Sequence, residues 1–490
     1  MLSFPSIAGP YKVGATTFLL PLRSLSVIGS AKLRHGKDGL RPALPLEEVV
    51  FTAFYPADTT ESNGSKRTSK GIDWLSKPVS SSLRGYAHFR NYSKFFTWLL
   101  WPFIYLIANV KIPVHANAPL LNPTGALVDG RKPDFRQWPL VIFSHGLGGS
   151  RTVYSQLCSR IAASGRVVIA MEHRDGSGHV CVKRSPSGAV TTKLYIRNDE
   201  VIWEAGDMPS DPGSFPFRKD QLIFRRHEIY LAYSAFSSLV GNGHNTENSV
   251  LQTIDGSQVN LESWFKRTSG DLLRVRCDAD VALVGHSFGG ATVFSLLSNP
   301  PPSSEYPRIP ATHALVLDPW LEPLPSPGPA PHSIQNAIIN PELTTLSSSS
   351  SSESTLQESG TDIPNVLKSN PLPRMLVLNS DPFTLWKDHF ERLSGVVEAW
   401  EPDGRRVLTL ARSVHISFSD FPLLPIIRKA SAEVLMDLIS KLAISFLDGK
   451  IEDALRDART RKMEIEVIGK KKDGSPKRRC IGEVGDVIVH

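Results

Sequence analysis

The residues Gly285-His286-Ser287-Phe288-Gly289 form a G-x-S-x-G pattern whose surroundings give it chemical meaning. The apolar run Val281–Val284 precedes it and the helix-forming run Ala291–Leu297 follows it. A serine on a sharp strand-to-helix turn projects its hydroxyl from the end of a sheet. There it lies beside helix N-terminal N–H groups that favour negative charge. Glycines two residues to either side leave room for such a turn. The pattern therefore marks Ser287 as a nucleophile for acyl transfer. His286, inside the motif, is expected to point away from the reacting centre and to serve the structure.

Acyl transfer passes through an oxyanion that needs donors fixed in place. The backbone N–H of Phe288 is one expected donor. The apolar run Leu140–Ser144 is followed by His145-Gly146-Leu147-Gly148-Gly149, and the N–H of Leu147 is the expected second. The serine also needs a base and the base an orienting carboxylate, in the chain order serine, acid, histidine. Four histidines follow Asp318: His332, His389, His415 and His490. His332 lies in a Pro-rich stretch and His490 is the last residue. His415 closely follows the strand-like Val407–Ala411 and is the expected base, with His389 as the alternative. Asp318 follows the run Ala314–Leu317, and Asp381 follows Met375–Leu378. Both positions are strand C-termini, where ligands gather in such sheets, so spacing leaves the acid open between them.

These residues need a scaffold. The runs named above, with Val49–Phe54 and Val167–Met171, are continuously apolar rather than alternating, as strands covered on both faces are. Helical patterns separate them at Thr152–Ala163, at about Phe217–Leu239, just after Ser287, and at Ala432–Phe446. Strand–helix alternation over this length predicts an α/β fold with a mostly parallel central sheet flanked by helices. One catalytic domain is expected over 1–455, followed by a charged C-terminal extension over 456–490. Residues 59–70 read as a polar surface loop, and 324–364 as a mobile insertion rich in Pro and Ser.

Composition sets limits on function. With 41% hydrophobic and 21% charged residues, the 490-residue chain is ordinary for a globular protein. Cys158, Cys181, Cys277 and Cys480 form no C-x-x-C pair, which speaks against a zinc ribbon and a disulfide scaffold. No metal or cofactor is called for. The net charge is +7, and Lys470–Arg479, with six basic residues and one acid, supplies most of it. The basicity thus belongs to a tail, expected to be a solvated end, and nucleic acid is not an expected partner. Phe95–Val110 has no charge in 16 residues and carries six aromatics. It is shorter than the roughly 20 residues of a spanning helix and holds Pro102, so core packing or docking on a lipid surface is expected instead. The N-terminus lacks a secretory pattern, so an intracellular location is expected, cytoplasmic or peripheral to a membrane.

Taken together, several stretches resemble the platelet-activating-factor acetylhydrolases of the plasma and intracellular type II kind, the calcium-independent group VII phospholipases A2. They are Gly9–Gly14 (GPYKVG), Phe143–Tyr154 (FSHGLGGSRTVY), Glu172–Asp175 (EHRD), Val284–Gly290 (VGHSFGG), Leu317–Trp320 (LDPW) and Val414–Phe421 (VHISFSDF). The resemblance implies an α/β-hydrolase fold and a metal-free esterase acting on the sn-2 acetyl, short or oxidised acyl group of phospholipids. By position it makes Ser287 the nucleophile, Asp318 in LDPW the acid and His415 in VHISFSDF the base. Leu147 and Phe288 become the oxyanion donors. It also implies contact with lipid surfaces, which fits 95–110. The insertion after Asp318 and the basic extension depart from the family pattern. Other readings are a serine carboxylesterase or lipase, and an inactive membrane-associated binding protein on a hydrolase fold.

Overall fold

A computed structural model of the chain describes residues 2–36, 39–60, 70–92, 107–125, 136–184, 189–203, 215–242, 251–254, 261–265, 267, 272–330, 372–401 and 407–490. Residues 61–69, 95–106 and 331–364, parts of the expected polar loop, apolar segment and insertion, lie outside them.

The apolar runs become the strands of one large sheet. In chain order its main strands are β1 (Val13–Val27), β2 (Pro45–Pro56), β3 (Lys70–Asp73), β4 (Lys111–Ala116), β5 (Trp138–Ser144), β6 (Val167–Glu172), β7 (Val281–His286), β8 (Ala311–Leu317), β9 (Arg374–Ser380) and β10 (Val407–Leu410). Four strands follow from the C-terminal segment: β11 (Arg459–Arg461), β12 (Ile465–Lys470), β13 (Pro476–Cys480) and β14 (Asp486–Val489). The spatial order is β11-β14-β10-β9-β8-β7-β5-β6-β2-β1-β4-β3. From β6 through β10 all neighbours are parallel, so every loop that leaves a strand C-terminus here opens at the same edge. That edge collects Ser287, Asp318, the loop after β5 and the loop after β10.

Alternation along each strand feeds two cores. Leu140, Ile142, Leu283 and Val316 face helices α3 (Pro216–Asn242) and α4 (Phe288–Leu297). Val141, Phe143, Val284 and Leu315 share the other core with α1 (Val79–Phe89), α2 (Ser155–Ala163) and α7 (Ala430–Leu447). The expected mostly parallel sheet with helices on both faces is therefore what forms. β1, which carries Pro21 and an irregular register after it, pairs antiparallel with β2 at the far side.

The segment after 456 joins the edge of the sheet. β14 pairs antiparallel with β10, placing Leu408 opposite Val489 and Leu410 opposite Val487. β11 runs parallel to β14 beyond it. Charge concealed this. Asp486 is buried, but its carboxylate is met by Arg459 at 3.0 Å and Arg461 at 2.7 Å. Paired in this way, a charged segment can close a sheet edge. Most of the basic run falls in the exposed hairpin β12–β13.

Among the described residues, no helix is long and apolar enough to cross a membrane.

Candidate active site

Ser287 occupies the turn between β7 and α4 with φ 57° and ψ −118°. A non-glycine residue held at positive φ is strained and needs support. Its N–H donates to the Leu317 carbonyl at 2.9 Å, and its carbonyl accepts from Trp320 and Ala291, each at 3.1 Å. Glycine at 289 is obligatory, because a Cβ there would sit 2.0 Å from the Ser144 carbonyl oxygen.

Asp318 follows β8 and is fully buried. One carboxylate oxygen accepts the Ser380 N–H at 2.6 Å, and the other accepts the Ser380 hydroxyl and faces Nδ1 of His415 at 3.0 Å. Burial pushes its pKa up, and the His415 and Ser380 contacts offset part of that rise. His415 opens a short 3-10 turn, His415–Phe418, after β10. With Nδ1–H donating to Asp318, Nε2 is the nitrogen left to accept a proton. Phe383 stacks face to face on the ring at 4.5 Å. Among the described residues no hydrogen bond joins His415 to the Ser287 hydroxyl; contacts of this kind commonly tighten only when substrate binds.

The alternatives lie elsewhere. Asp381 opens α5 (Asp381–Thr384), where its carboxylate accepts the Arg412 N–H at 3.4 Å and meets Cys480, and burial raises its pKa to about 6. His389, in α6 (Lys387–Trp400), is buried against Phe383 and Trp386, and burial lowers its pKa to about 4. His490 bonds Thr409 at 2.8 Å. His332 lies outside the described residues.

The loop after β5 wraps against the serine. In it, the N–H groups of Gly146, Gly148 and Gly149 are engaged by Tyr154 Oη, the Ser177 carbonyl and the Gly146 carbonyl, at 3.3, 2.7 and 3.1 Å. The N–H groups of Leu147 and Phe288 have no partner among the described residues. A Cβ on Gly146 would lie 2.9 Å from that of Ser287, which shows how closely this loop approaches the serine.

His286 does not point away from this centre, as its place in the motif suggested. Its Nε2–H donates to the His415 carbonyl at 3.0 Å, so Nδ1 accepts from the Tyr154 hydroxyl at 2.8 Å. A single relay thus runs from Gly146 through Tyr154 and His286 to the loop bearing His415. Burial and the neighbouring His415 hold the His286 pKa well below its ordinary value, so it stays a neutral connector.

A second set of residues carries no simple sequence signal. Arg225 of α3 is wholly buried. It donates to Asp175 at 2.9 Å, Ser177 at 2.6 Å, Thr292 at 3.2 Å and the His145 carbonyl at 2.8 Å. Its guanidinium also covers the Phe288 ring at 4.4 Å. Beside it, Ser144, His173 and Glu228 form a Ser–His–acid chain, with contacts of 2.8 and 2.7 Å. No substrate reaches this chain, since all three are buried; burial pushes the Glu228 pKa up and the His173 pKa down. Asp420 accepts from the N–H groups of Ser155 and Gln156 at 2.9 and 3.0 Å. It thereby ties the loop after His415 to the start of α2. Asp175 and Asp420 fall in the EHRD and VHISFSDF stretches; Arg225 and Glu228, one helix away, could be found only in three dimensions.

His286, Asp318 and His415 bring ligand-type atoms within 4.8 Å of one another. Their hydrogen bonds already commit these groups: one His286 nitrogen donates to a carbonyl and the other accepts from a hydroxyl, while Asp318 holds Ser380 and His415. The donor set fits a hydrogen-bonded relay rather than a metal centre.

A parallel sheet with a serine elbow after its central strand and a glycine-rich loop after the neighbouring strand defines an α/β-hydrolase. Residues 2–342 match the family described as "Platelet-activating factor acetylhydrolase, isoform II", and the chain belongs to that family. The matched stretch contains Leu147, Ser287, Phe288 and Asp318, and ends before His415. A Schizosaccharomyces pombe protein provisionally named phospholipase A2 is 30% identical over 289 residues, 59% of this chain and 57% of that protein. The platelet-activating factor acetylhydrolase of Cavia porcellus is 27% identical over 354 residues, 70% of this chain and 61% of its own. The chain thus spans about three fifths of the length of these curated relatives. Among solved structures, a ferulic acid esterase from Streptomyces cinnamoneus aligns over 92% of this chain and 94% of its own, with 16% identity and a TM-score of 0.46.

Proposed function

We propose that this protein is a calcium-independent phospholipase A2-type serine esterase. In this reading it hydrolyses the sn-2 acetyl, short or oxidised acyl ester of platelet-activating factor and related phospholipids. Ser287 is the nucleophile, His415 the general base and Asp318 its orienting acid. The N–H groups of Leu147 and Phe288 are the oxyanion donors. The observation that carries the reading is the 3.0 Å contact of His415 Nδ1 with a fully buried Asp318, on the loop that His286 joins to the serine turn.

The chemistry follows from these groups. His415 Nε2 takes the Ser287 proton as the hydroxyl oxygen attacks the ester carbonyl. The oxyanion is held by the two amides. Collapse expels the lysophospholipid alkoxide, which takes the proton back from His415, and leaves an acyl-serine. Water, deprotonated by the same imidazole, then releases the carboxylic acid and regenerates Ser287. Asp318 keeps Nδ1 protonated throughout, so Nε2 always faces the reaction.

Contact with a lipid surface belongs to the same proposal. Val414 and Ile416 on either side of His415, and Ile427 beyond it, are exposed apolar residues that support it, and segment 95–110 is a further candidate. Four unpaired, buried cysteines support a reducing, intracellular setting.

The test is hydrolysis of phosphatidylcholines with sn-2 chains from acetyl to long, beside a neutral triglyceride and a simple aryl ester, with Ser287→Ala as control. Preference for short sn-2 chains, lost in the variant, supports the reading. Turnover of the aryl ester or triglyceride alone would make the protein a carboxylesterase or lipase.

A further inference from the structure

The structure of the C-terminal segment bears on the base, and the inference rests on the reading of His415 given above. Arg412 stands three residues before His415, with φ 63°. Its Nε–H donates to the Gly482 carbonyl at 2.7 Å, and its terminal nitrogen lies 3.9 Å from Glu466. Its own N–H reaches Asp381 at 3.4 Å. The residue before it is held as well, since Ala411 N–H donates to the Asp486 carbonyl at 3.1 Å and its side chain packs with Cys480 and Ile488. Further back, Thr409 bonds the ring of His490 at 2.8 Å. Glu466, Cys480, Gly482, Asp486, Ile488 and His490 all come from the segment after 456, outside the stretch that matches the family.

We infer that Arg412 is a positioning residue for His415, and that the C-terminal segment is the brace that holds it. A left-handed non-glycine residue turns the chain sharply out of β10, and this conformation persists only where the surroundings fix it. Here the fixing groups are the Gly482 carbonyl and the Asp381 carboxylate. The aim of the imidazole toward Ser287 is then set from outside the region that bears the nucleophile. Asp381, placed like a catalytic acid, acts instead on the backbone of the base loop.

The experiment compares Arg412→Ala and Arg412→Lys with wild type and His415→Ala in the full chain. Substitution of the exposed hairpin residues Lys471 and Lys472 by alanine is the control. Each protein is assayed for kcat and KM on a soluble short-chain ester, for the rate of fluorophosphonate labelling per folded molecule, and for its thermal midpoint. Positioned general bases contribute about 10²–10⁴-fold, and a misaimed one forfeits part of that. Arg412→Ala is expected to lower kcat and the labelling rate together by about 10-fold or more, with KM changed less than about 2-fold. Arg412→Lys, which still offers a donor toward Gly482, recovers part of the loss. The lysine pair behaves as wild type. Should Arg412→Ala not fold, Arg412→Met, which keeps the apolar stem but no donor, gives the same readout. Wild-type kcat and labelling per folded molecule in the variant would overturn the inference, as would a loss that a smaller folded fraction fully accounts for. His415→Ala separates the two layers: full labelling in that variant would defeat the base assignment itself, not the brace.

Discussion

The rings of His286 and His415 lie 4.5 Å apart, and the first donates through Nε2–H to the backbone carbonyl of the second. The residue beside Ser287 thereby holds the loop that carries His415. Tyr154 extends the connection to Gly146 in the loop after β5, so hydrogen bonds join three segments distant in sequence.

The members of this connection are expected to be energetically coupled. His286→Phe leaves the buried Tyr154 hydroxyl without its acceptor, which costs about 1–3 kcal/mol of stability. Tyr154→Phe removes the matching donor. In a double-mutant cycle the two substitutions are expected to be non-additive by about 0.5–3 kcal/mol. Denaturant unfolding of the four proteins measures this, and strict additivity would show that the contacts do not act together.

Asp318 and Asp381 are separated by activity. Asp318→Asn presents the wrong hydrogen-bonding group to Nδ1, and kcat is expected to fall about 10⁴-fold, as when the triad acid is neutralised elsewhere. Asp381→Asn keeps the His415–Asp318 pair, and its kcat is expected to stay within about one order of magnitude of wild type, since it acts only through the Arg412 backbone. Steady-state kinetics on one soluble ester decide between them; inactivity of the second variant alone would reassign the acid.

The same Asp381 predicts a pH effect. Its pKa is raised to about 6 in the fold, against 3.8 for the free group. Between those values the folded protein holds a proton that the unfolded chain has lost, so stability falls as pH rises through that window and levels off above it. Asp381→Asn should abolish this decline. Urea midpoints measured from pH 4 to 7 test it, and an unchanged slope in the variant would contradict it.

Arg225 links α3, the EHRD stretch and the ring of Phe288. Arg225→Met leaves Asp175 charged and unpaired in a dry interior, which costs about 3–5 kcal/mol. Where enough folded protein remains, acylation of Ser287 should also slow, because the His145 carbonyl and the Phe288 ring lose their anchor. Thermal unfolding and labelling rates are the measurements; a shift under about 1 kcal/mol would mean that the buried pair contributes little.

The sheet could be read from the sequence because strands covered on both faces write themselves as unbroken apolar runs. Leu140–Ser144, Val281–Gly285 and Val407–Ala411 each proved a strand within two or three residues. The serine turn was equally legible, since sterics leave few residues able to make it. Which aspartate faces His415 was not. Asp318 and Asp381 follow neighbouring parallel strands, and what separates them is backbone direction. Asp318 sits at φ 41° with its carboxylate toward His415, whereas Asp381 begins a helix and turns toward Arg412. Local charge misled at the C-terminus, where Arg459, Arg461 and Asp486 look solvated in sequence and neutralise one another across strands. His286 misled for a related reason, because its partners lie 132 and 129 residues away.

The most direct test of the account is to label the full-length protein with a fluorophosphonate and map the adduct by peptide mass spectrometry. A single adduct on Ser287, absent from Ser287→Ala and strongly slowed in His415→Ala and Asp318→Asn, is the expected result. Labelling at another residue, or none on folded protein, would contradict it.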